Sequence, residues 1–136
     1  MNAVDTNILA YSLDAHDDTK RRKALELLTT LPVESTVIPW QVACEIGAVL
    51  NTMARDGRFR GDYRLAITSV RTRFRVALPT IAVLDRALQI QTTAGVSHWD
   101  ALLISACAEA GVTKLYTEDM QSRPTIEGVG IVNPFA

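Results

Sequence analysis

Hydrophobic and polar residues follow two different rhythms along this chain. Short apolar or β-branched runs are each followed by a longer stretch with apolar residues three and four apart. The first rhythm reads as buried strands, the second as amphipathic helices. Ala3-Val4 leads into Asp5-Thr6-Asn7, and Ile8-Leu9 resumes the apolar run. A strand therefore ends at Asp5, and a helix starts just after it and reaches about Leu13. Asp14 to Asp18 is polar and reads as a loop. Asp18 or Thr19 can cap a second helix, in which Ala24, Leu27, Leu28 and Leu31 keep helical spacing until Leu31-Pro32 ends it. Ser35 to Ile38 is a β-branched strand, and Pro39 suits the first turn of the helix that follows.

That helix, Trp40 to about Ala54, carries Val42, Ile46, Val49, Leu50 and Met53 on one stripe. Glu45 falls on or beside the stripe, where a carboxylate is costly unless something pairs with it. Gly57 and Gly61 mark a turn, and Tyr63, Ile67, Val70 and Phe74 an amphipathic helix. Val76 to Leu78 reads as another strand. Pro79-Thr80 opens a helix through Leu84, Ala87, Leu88 and Ile90, closed by Gly95. Ser97 caps the next, with Asp100 three residues on. Gly111 ends it, Thr113 to Tyr116 is a strand, and Thr117-Glu118-Asp119 follows at once. The tail is loop-like, with a last short strand at Gly130-Ile131-Val132. Strands and helices alternate throughout, which predicts an α/β fold: a three-layer α/β/α sandwich with a short-stranded parallel central sheet.

Composition narrows the class. The chain has 136 residues, 48% of them hydrophobic, which suits one domain, 1–136, with a real core. A net charge of -1 excludes a uniformly basic nucleic-acid coat. A local patch remains open: Arg58, Arg60 and Arg64 lie in an arginine-rich flank that reads as a solvated helix face or as a set of phosphate contacts. Cys44 and Cys107 read as buried free thiols, and no zinc-ligand spacing is present. No apolar run can span a membrane and no basic leader precedes one, so a soluble cytoplasmic protein is expected. His98 is expected to pack or cap, and Trp40 and Trp99 to pack in the core or at a dimer interface in preference to stacking on bases.

Four acids occupy similar corners. Asp5 and Asp119 follow strands, Asp100 opens a helix, and Glu45 lies one turn into a helix that follows a strand. In a parallel sheet with right-handed crossovers all four belong to the carboxyl edge of the strands. Each alone is explained as a helix cap. Together they are a problem of charge, because a like-charged pair at about 4 Å costs on the order of 1–4 kcal/mol at surface-like dielectric. Such a cluster needs raised pKa values or a cation. Oxygen ligands without His or Cys select Mg²⁺ or Mn²⁺. Such an ion activates water and clamps a phosphoryl oxygen, so metal-assisted phosphodiester hydrolysis is the expected reaction class.

Val4-Asp5-Thr6-Asn7-Ile8-Leu9, Glu45, Trp99-Asp100-Ala101-Leu102-Leu103-Ile104 and Tyr116-Thr117-Glu118-Asp119-Met120 resemble the motifs of PIN-domain ribonucleases. Gly128-Val129 and Asn133-Pro134-Phe135 resemble the end of the bacterial branch, the VapC-like toxins of toxin–antitoxin pairs. The resemblance implies a Mg²⁺- or Mn²⁺-dependent endoribonuclease. It implies Asp5, Glu45, Asp100 and Asp119 as the acidic catalytic and metal-site residues, with Asn7 and Thr117 supporting them. It favours Asp119 over the adjacent Glu118. It also implies an RNA substrate, a homodimer and an antitoxin whose tail enters the acidic pocket. Two other readings stand beside it. One is a non-catalytic module whose acids receive an arginine-bearing peptide. The other is a phosphatase with Asp5 as nucleophile, which Asn7 disfavours by standing where that chemistry wants a second acid.

Overall fold

The computed structural model describes residues 1–120 and 123–136. In chain order the elements are β1 (Asn2–Val4), α1 (Thr6–Tyr11), α2 (Asp18–Thr30), β2 (Thr36–Pro39), α3 (Trp40–Arg55), α4 (Tyr63–Arg73), β3 (Arg75–Ala77), α5 (Ile81–Ala94), α6 (His98–Glu109), β4 (Lys114–Tyr116), β5 (Thr125–Ile126) and β6 (Val129–Val132). The sheet order is β3-β2-β1-β4-β6-β5. Every pairing is parallel except that of β5 with β6. The expected α/β/α sandwich is therefore present, with one antiparallel edge strand that the sequence pattern leaves unread. β5 is only two residues long, too short for any periodicity. It turns into β6 through Glu127 and Gly128, both at positive φ, the geometry of a tight two-residue hairpin.

Consecutive residues of the inner strands are buried: Ala3 and Val4 in β1, Val37 and Ile38 in β2. Successive side chains of a strand point to opposite faces, so both faces of the sheet are covered. α1 packs against α2 and α3, and α3 against α4. α5 and α6 form an antiparallel hairpin, fastened where the Ser105 hydroxyl donates to the Val83 carbonyl (2.6 Å) and where His98 meets Gln91 (3.3 Å). Gly95 ends α5 in the left-handed conformation (φ 67°), and Ser97 caps α6 by accepting from the Asp100 N–H. The hairpin returns the chain so that α6 starts beside the carboxyl edge of the sheet, placing Asp100 there.

Several local details differ from the sequence reading. Asp17, not Asp18 or Thr19, caps α2 by accepting from the Lys20 N–H (3.0 Å). Pro39 is the last residue of β2 and sits opposite Ala77 of β3. Cys107 is buried, and burial pushes its thiol up to about 12, but Cys44 is exposed. Among the described residues, no helix is long and apolar enough to cross a membrane.

Candidate functional site

β1 is flanked by β2 on one side and β4 on the other, so the order in which the chain adds strands to the sheet reverses at β1/β4, a parallel pair. In open α/β sheets a crevice forms outside the carboxyl ends of the strands at such a point. Asp5 stands at the end of β1. Its N–H continues the ladder to the Tyr116 carbonyl of β4 (2.9 Å), and its side chain caps α1. One carboxylate oxygen accepts from the Thr6 N–H (2.6 Å), the other from the Thr117 hydroxyl (2.7 Å). Thr117 is held in turn by its N–H to the Val132 carbonyl of β6 (2.9 Å).

Thr117 is the knot of the site. Its hydroxyl donates to Asp5, accepts from the Asp119 N–H (3.0 Å) and accepts from Asn7 Nδ2 (3.4 Å). A hydroxyl has one donor and two lone pairs, and all three are used. Asn7 Nδ2 also donates to Asp119 Oδ2 (3.3 Å), while Asn7 Oδ1 accepts from the Glu118 N–H (3.3 Å). The two supporting residues named from sequence thus join the two strand-end acids.

Glu45 arrives from α3. Thr6 Oγ1 donates to one of its oxygens (3.0 Å) and Gln41 Nε2 to the other (3.0 Å). Its placement corrects the sequence reading: Glu45 is exposed, although Val42 and Ile46 beside it are buried. The first turns of α3 leave one side uncovered, with Trp40 and Cys44 exposed there as well. Spacing from the buried stripe cannot show this, because it does not reveal where neighbouring elements stop. The sequence reading does not single out Thr6 or Gln41 either. The Gln41/Glu45 spacing of four, which puts both on one helix face, is the available signal.

Charge links the four acids. Burial raises the Asp5 carboxyl above its ordinary range, against its two hydrogen bonds, and Asp119 and Glu45 push it the same way. Partial burial, then Asp100 and Glu118, raise Asp119. Among the described residues none of the four forms an ion pair with a Lys or Arg. Glu118 differs. It pairs with Lys20, which also donates to the Tyr11 hydroxyl (3.1 Å), and its carboxyl is lowered: burial would raise it, but the bonds from Lys20 and Tyr11 outweigh that. The neighbouring acids thus turn to different partners, Glu118 to a cation and Asp119 to Asn7.

As a set of hard oxygen donors without a protein cation, the four carboxylates suit a divalent ion. Among the described residues no three His, Cys, Asp or Glu side chains stand close enough to enclose one as they are placed. Beside the acids, a groove of about 580 Å³ opens between α3 and α6, lined by Trp40, Gln41, Glu45, Trp99 and Leu102 among others.

The arginine flank divides. Arg58 forms an ion pair with Asp14, whose side chain has no solvent-accessible surface, so its guanidinium is committed to the fold. Arg60 and Arg64 are exposed and, among the described residues, unpaired. They follow the far end of α3, on the order of 15 Å of helix beyond Glu45.

Comparison with solved structures finds the same architecture. A toxin–antitoxin complex from Klebsiella pneumoniae matches with a TM-score of 0.70 at 19% identity, covering 98% of each chain. FitAcB from Neisseria gonorrhoeae matches at 0.72 and 16%, covering 99% of each. The sarcin–ricin-loop-cleaving toxin VapC20 of Mycobacterium tuberculosis matches at 0.69 and 19%, covering 93% of this chain and 98% of that one. At these identities the likeness is one of fold. No curated protein matches the sequence. Residues 3–123, from the middle of β1 to just past the Asp119 turn, match the PIN domain, so that strand ends, crevice and acid-bearing corners all fall within the matched span, and the chain belongs to the PIN domain family.

Proposed function

We propose that this chain is a divalent-metal-dependent endoribonuclease, the toxin of a toxin–antitoxin pair, acting in the cytoplasm as a homodimer. The observation that carries the reading is the convergence of Asp5, Glu45 and Asp119 at the β1/β4 crevice through the hydrogen bonds of Thr6, Asn7 and Thr117, with no ion pair from a protein cation to these acids among the described residues. Family membership supports nuclease chemistry. The structural relatives, among them a toxin–antitoxin complex and a toxin that cleaves the sarcin–ricin loop, support the toxin role, an antitoxin partner and RNA as substrate.

Asp5, Glu45, Asp100 and Asp119 would hold Mg²⁺ or Mn²⁺. When bound, the ion supplies Lewis-acid stabilisation of charge developing on a phosphodiester and lowers the pKa of water. The chain's own residues orient the acids. The Thr6 N–H and the Thr117 hydroxyl fix the Asp5 carboxylate, Asn7 holds Asp119, and Thr6 with Gln41 holds Glu45. Enclosing an ion would need the carboxylates to draw closer than they stand; Glu45 and Asp119 are the two exposed members of the set. Conversion of Asp5 or Asp100 to Asn is expected to abolish cleavage of a mixed RNA pool while circular dichroism stays unchanged. Full cleavage by both variants sinks the assignment.

One observation favours a second reading. Because the described residues form no ready-made cage, the acids would suit an arginine-bearing peptide received without catalysis. Titration with Mn²⁺ separates the two: a nuclease gives saturable heat and metal-dependent nicking, and a peptide-binding module gives neither. The phosphatase reading fares worse, since both Asp5 oxygens are already hydrogen-bonded and the residue is 7% exposed.

A further inference from the structure

The turn that carries Asp119 is held from two sides by one short helix. Asn7 and Tyr11 stand four residues apart on α1 and share a face. Asn7 bonds the Asp119 carboxylate and the Glu118 N–H. Tyr11 meets the Glu118 side chain, together with Lys20 from the first turn of α2. The Lys20 ammonium donates to the Glu118 carboxylate and to the Tyr11 hydroxyl (3.1 Å), and that hydroxyl bonds Glu118 in turn, closing a triangle of three side chains. Two rings pack against the ammonium. It lies 4.4 Å from the Tyr11 centroid and 5.5 Å from that of Phe135, and the rings meet edge-on at 5.0 Å. Phe135 is fixed there by its own N–H, which donates to Asn133 Oδ1 (2.9 Å). Local preference alone does not shape the turn. Met120, next after Asp119, sits at φ 59°, a left-handed conformation that a side chain disfavours.

From this arrangement we infer that Lys20 is a positioning residue of the acidic site. By holding Glu118 on the side of α1 and α2, it leaves Asp119 as the acid that the turn presents to Asn7 and the crevice. The inference rests on the metal-binding part of the nuclease reading and adds to it the device that selects one of two adjacent acids. Without that device Glu118 would compete with Asp119 for any cation in the crevice. Among the described residues Lys20 forms no ion pair with Asp5, Glu45, Asp100 or Asp119, so it acts through Glu118 and the turn. Groups that orient metal-holding side chains are worth about 10–100-fold in metal affinity. Charge and positioning predict opposite signs for the loss of Lys20. Removing a nearby cation would by itself strengthen binding of a divalent ion to the acids. Releasing the turn weakens it.

The test uses the full chain, with Mn²⁺ as the probe. Calorimetry gives the Mn²⁺ affinity of the unaltered protein, Lys20→Met, Lys20→Arg and Tyr11→Phe, and amide hydrogen exchange is followed in the metal-free proteins. Lys20→Met is expected to weaken Mn²⁺ binding about 10-fold, and Lys20→Arg to restore most of it. Exchange should quicken at the Glu118 and Asp119 amides, which donate to Asn7 and Thr117, by a larger factor than at Leu115 in β4. Equal or tighter Mn²⁺ binding by Lys20→Met overturns the inference, as does exchange that quickens no more at the two amides than at Leu115. A raised KM for RNA with unchanged Mn²⁺ affinity also overturns it and makes Lys20 a phosphate contact. If Lys20→Met does not fold, Tyr11→Phe decides, since it removes one hydroxyl and keeps the ring: weaker Mn²⁺ binding with faster exchange at the turn supports the inference, and no change in either overturns it. Mn²⁺ binding by the unaltered protein is scored first. If it is absent, the metal reading falls and takes the positioning role with it; if it is present, only the role of Lys20 is at stake.

Discussion

Asp5 and Asp14 flank the same short helix and are both almost wholly buried, yet their carboxyls move in opposite directions. Asp14 is lowered. Burial alone would raise it, but the Arg58 guanidinium and the His16 N–H (2.9 Å) outweigh the burial. Asp5 is raised, having only neutral donors and two acidic neighbours. The difference separates an acid that holds the molecule together from one held in readiness. A buried carboxylate with its own cation is finished business; one whose neighbours are also acids is left to protonation or to a counter-charge from outside the chain.

The comparison is broken most sharply by activity. Asp5→Asn should lower RNA cleavage by more than about 100-fold, on the scale of losing an ion's charge stabilisation. Asp14→Asn should leave the rate per folded molecule unchanged. Initial rates normalised to native protein check both. Stability should show the converse. Arg58→Ala leaves the Asp14 charge buried without its partner. It should cost about 2 kcal/mol, less than the 3–5 kcal/mol of a fully enclosed pair because the Arg58 side chain is 40% exposed. Urea denaturation measures that loss, and an unchanged midpoint would make the pair ornamental.

Acid should sharpen the contrast next. Asp14 and Glu118 have depressed native pKa values, so they add stability above the unfolded-state values near 4 and lose it as pH falls through the native ones. Asp5 has the opposite sign: its penalty is present above its raised native pKa and gone below the unfolded one. In metal-free buffer Asp14→Asn should therefore flatten the acid limb of a melting-temperature profile, and Asp5→Asn should steepen it. The smallest effect belongs to the arginines. Charge removal at Arg60 and Arg64 should weaken RNA binding and reduce the salt slope by about one per residue if they touch phosphates, while Arg58→Ala should leave the slope alone. An unaltered slope in the first pair makes them a solvated face.

The Asp5 corner is legible in sequence because a two-residue apolar run, an acid and a helical period announce a strand end without reference to anything distant. Asp119, Asp100 and the Gly95 and Ser97 signals are legible in the same way. What escapes is non-local. Nothing near Asp14 in the chain points to Arg58, 44 residues away, so a structural ion pair looks like one more member of a basic patch. Glu45 escapes for the converse reason: its periodicity is right, but whether a neighbour covers that side of α3 is a property of the assembled sheet edge. The same holds for Trp40, Cys44 and Trp99, apolar residues whose helical spacing suggests cover that the fold does not provide.

Asp5, Thr6 and Asn7 are consecutive, yet each side chain reaches a different element: Asp5 to the end of β4, Thr6 to Glu45 on α3, Asn7 to the turn bearing Asp119. The start of a helix swings successive residues by about 100°, which lets one tripeptide serve as a three-way junction. A junction of this kind tolerates exchange of similar side chains far better than any change of length. Adding or deleting a single residue there would redirect every spoke together, so insertions acquired or engineered into this protein belong in its outer loops.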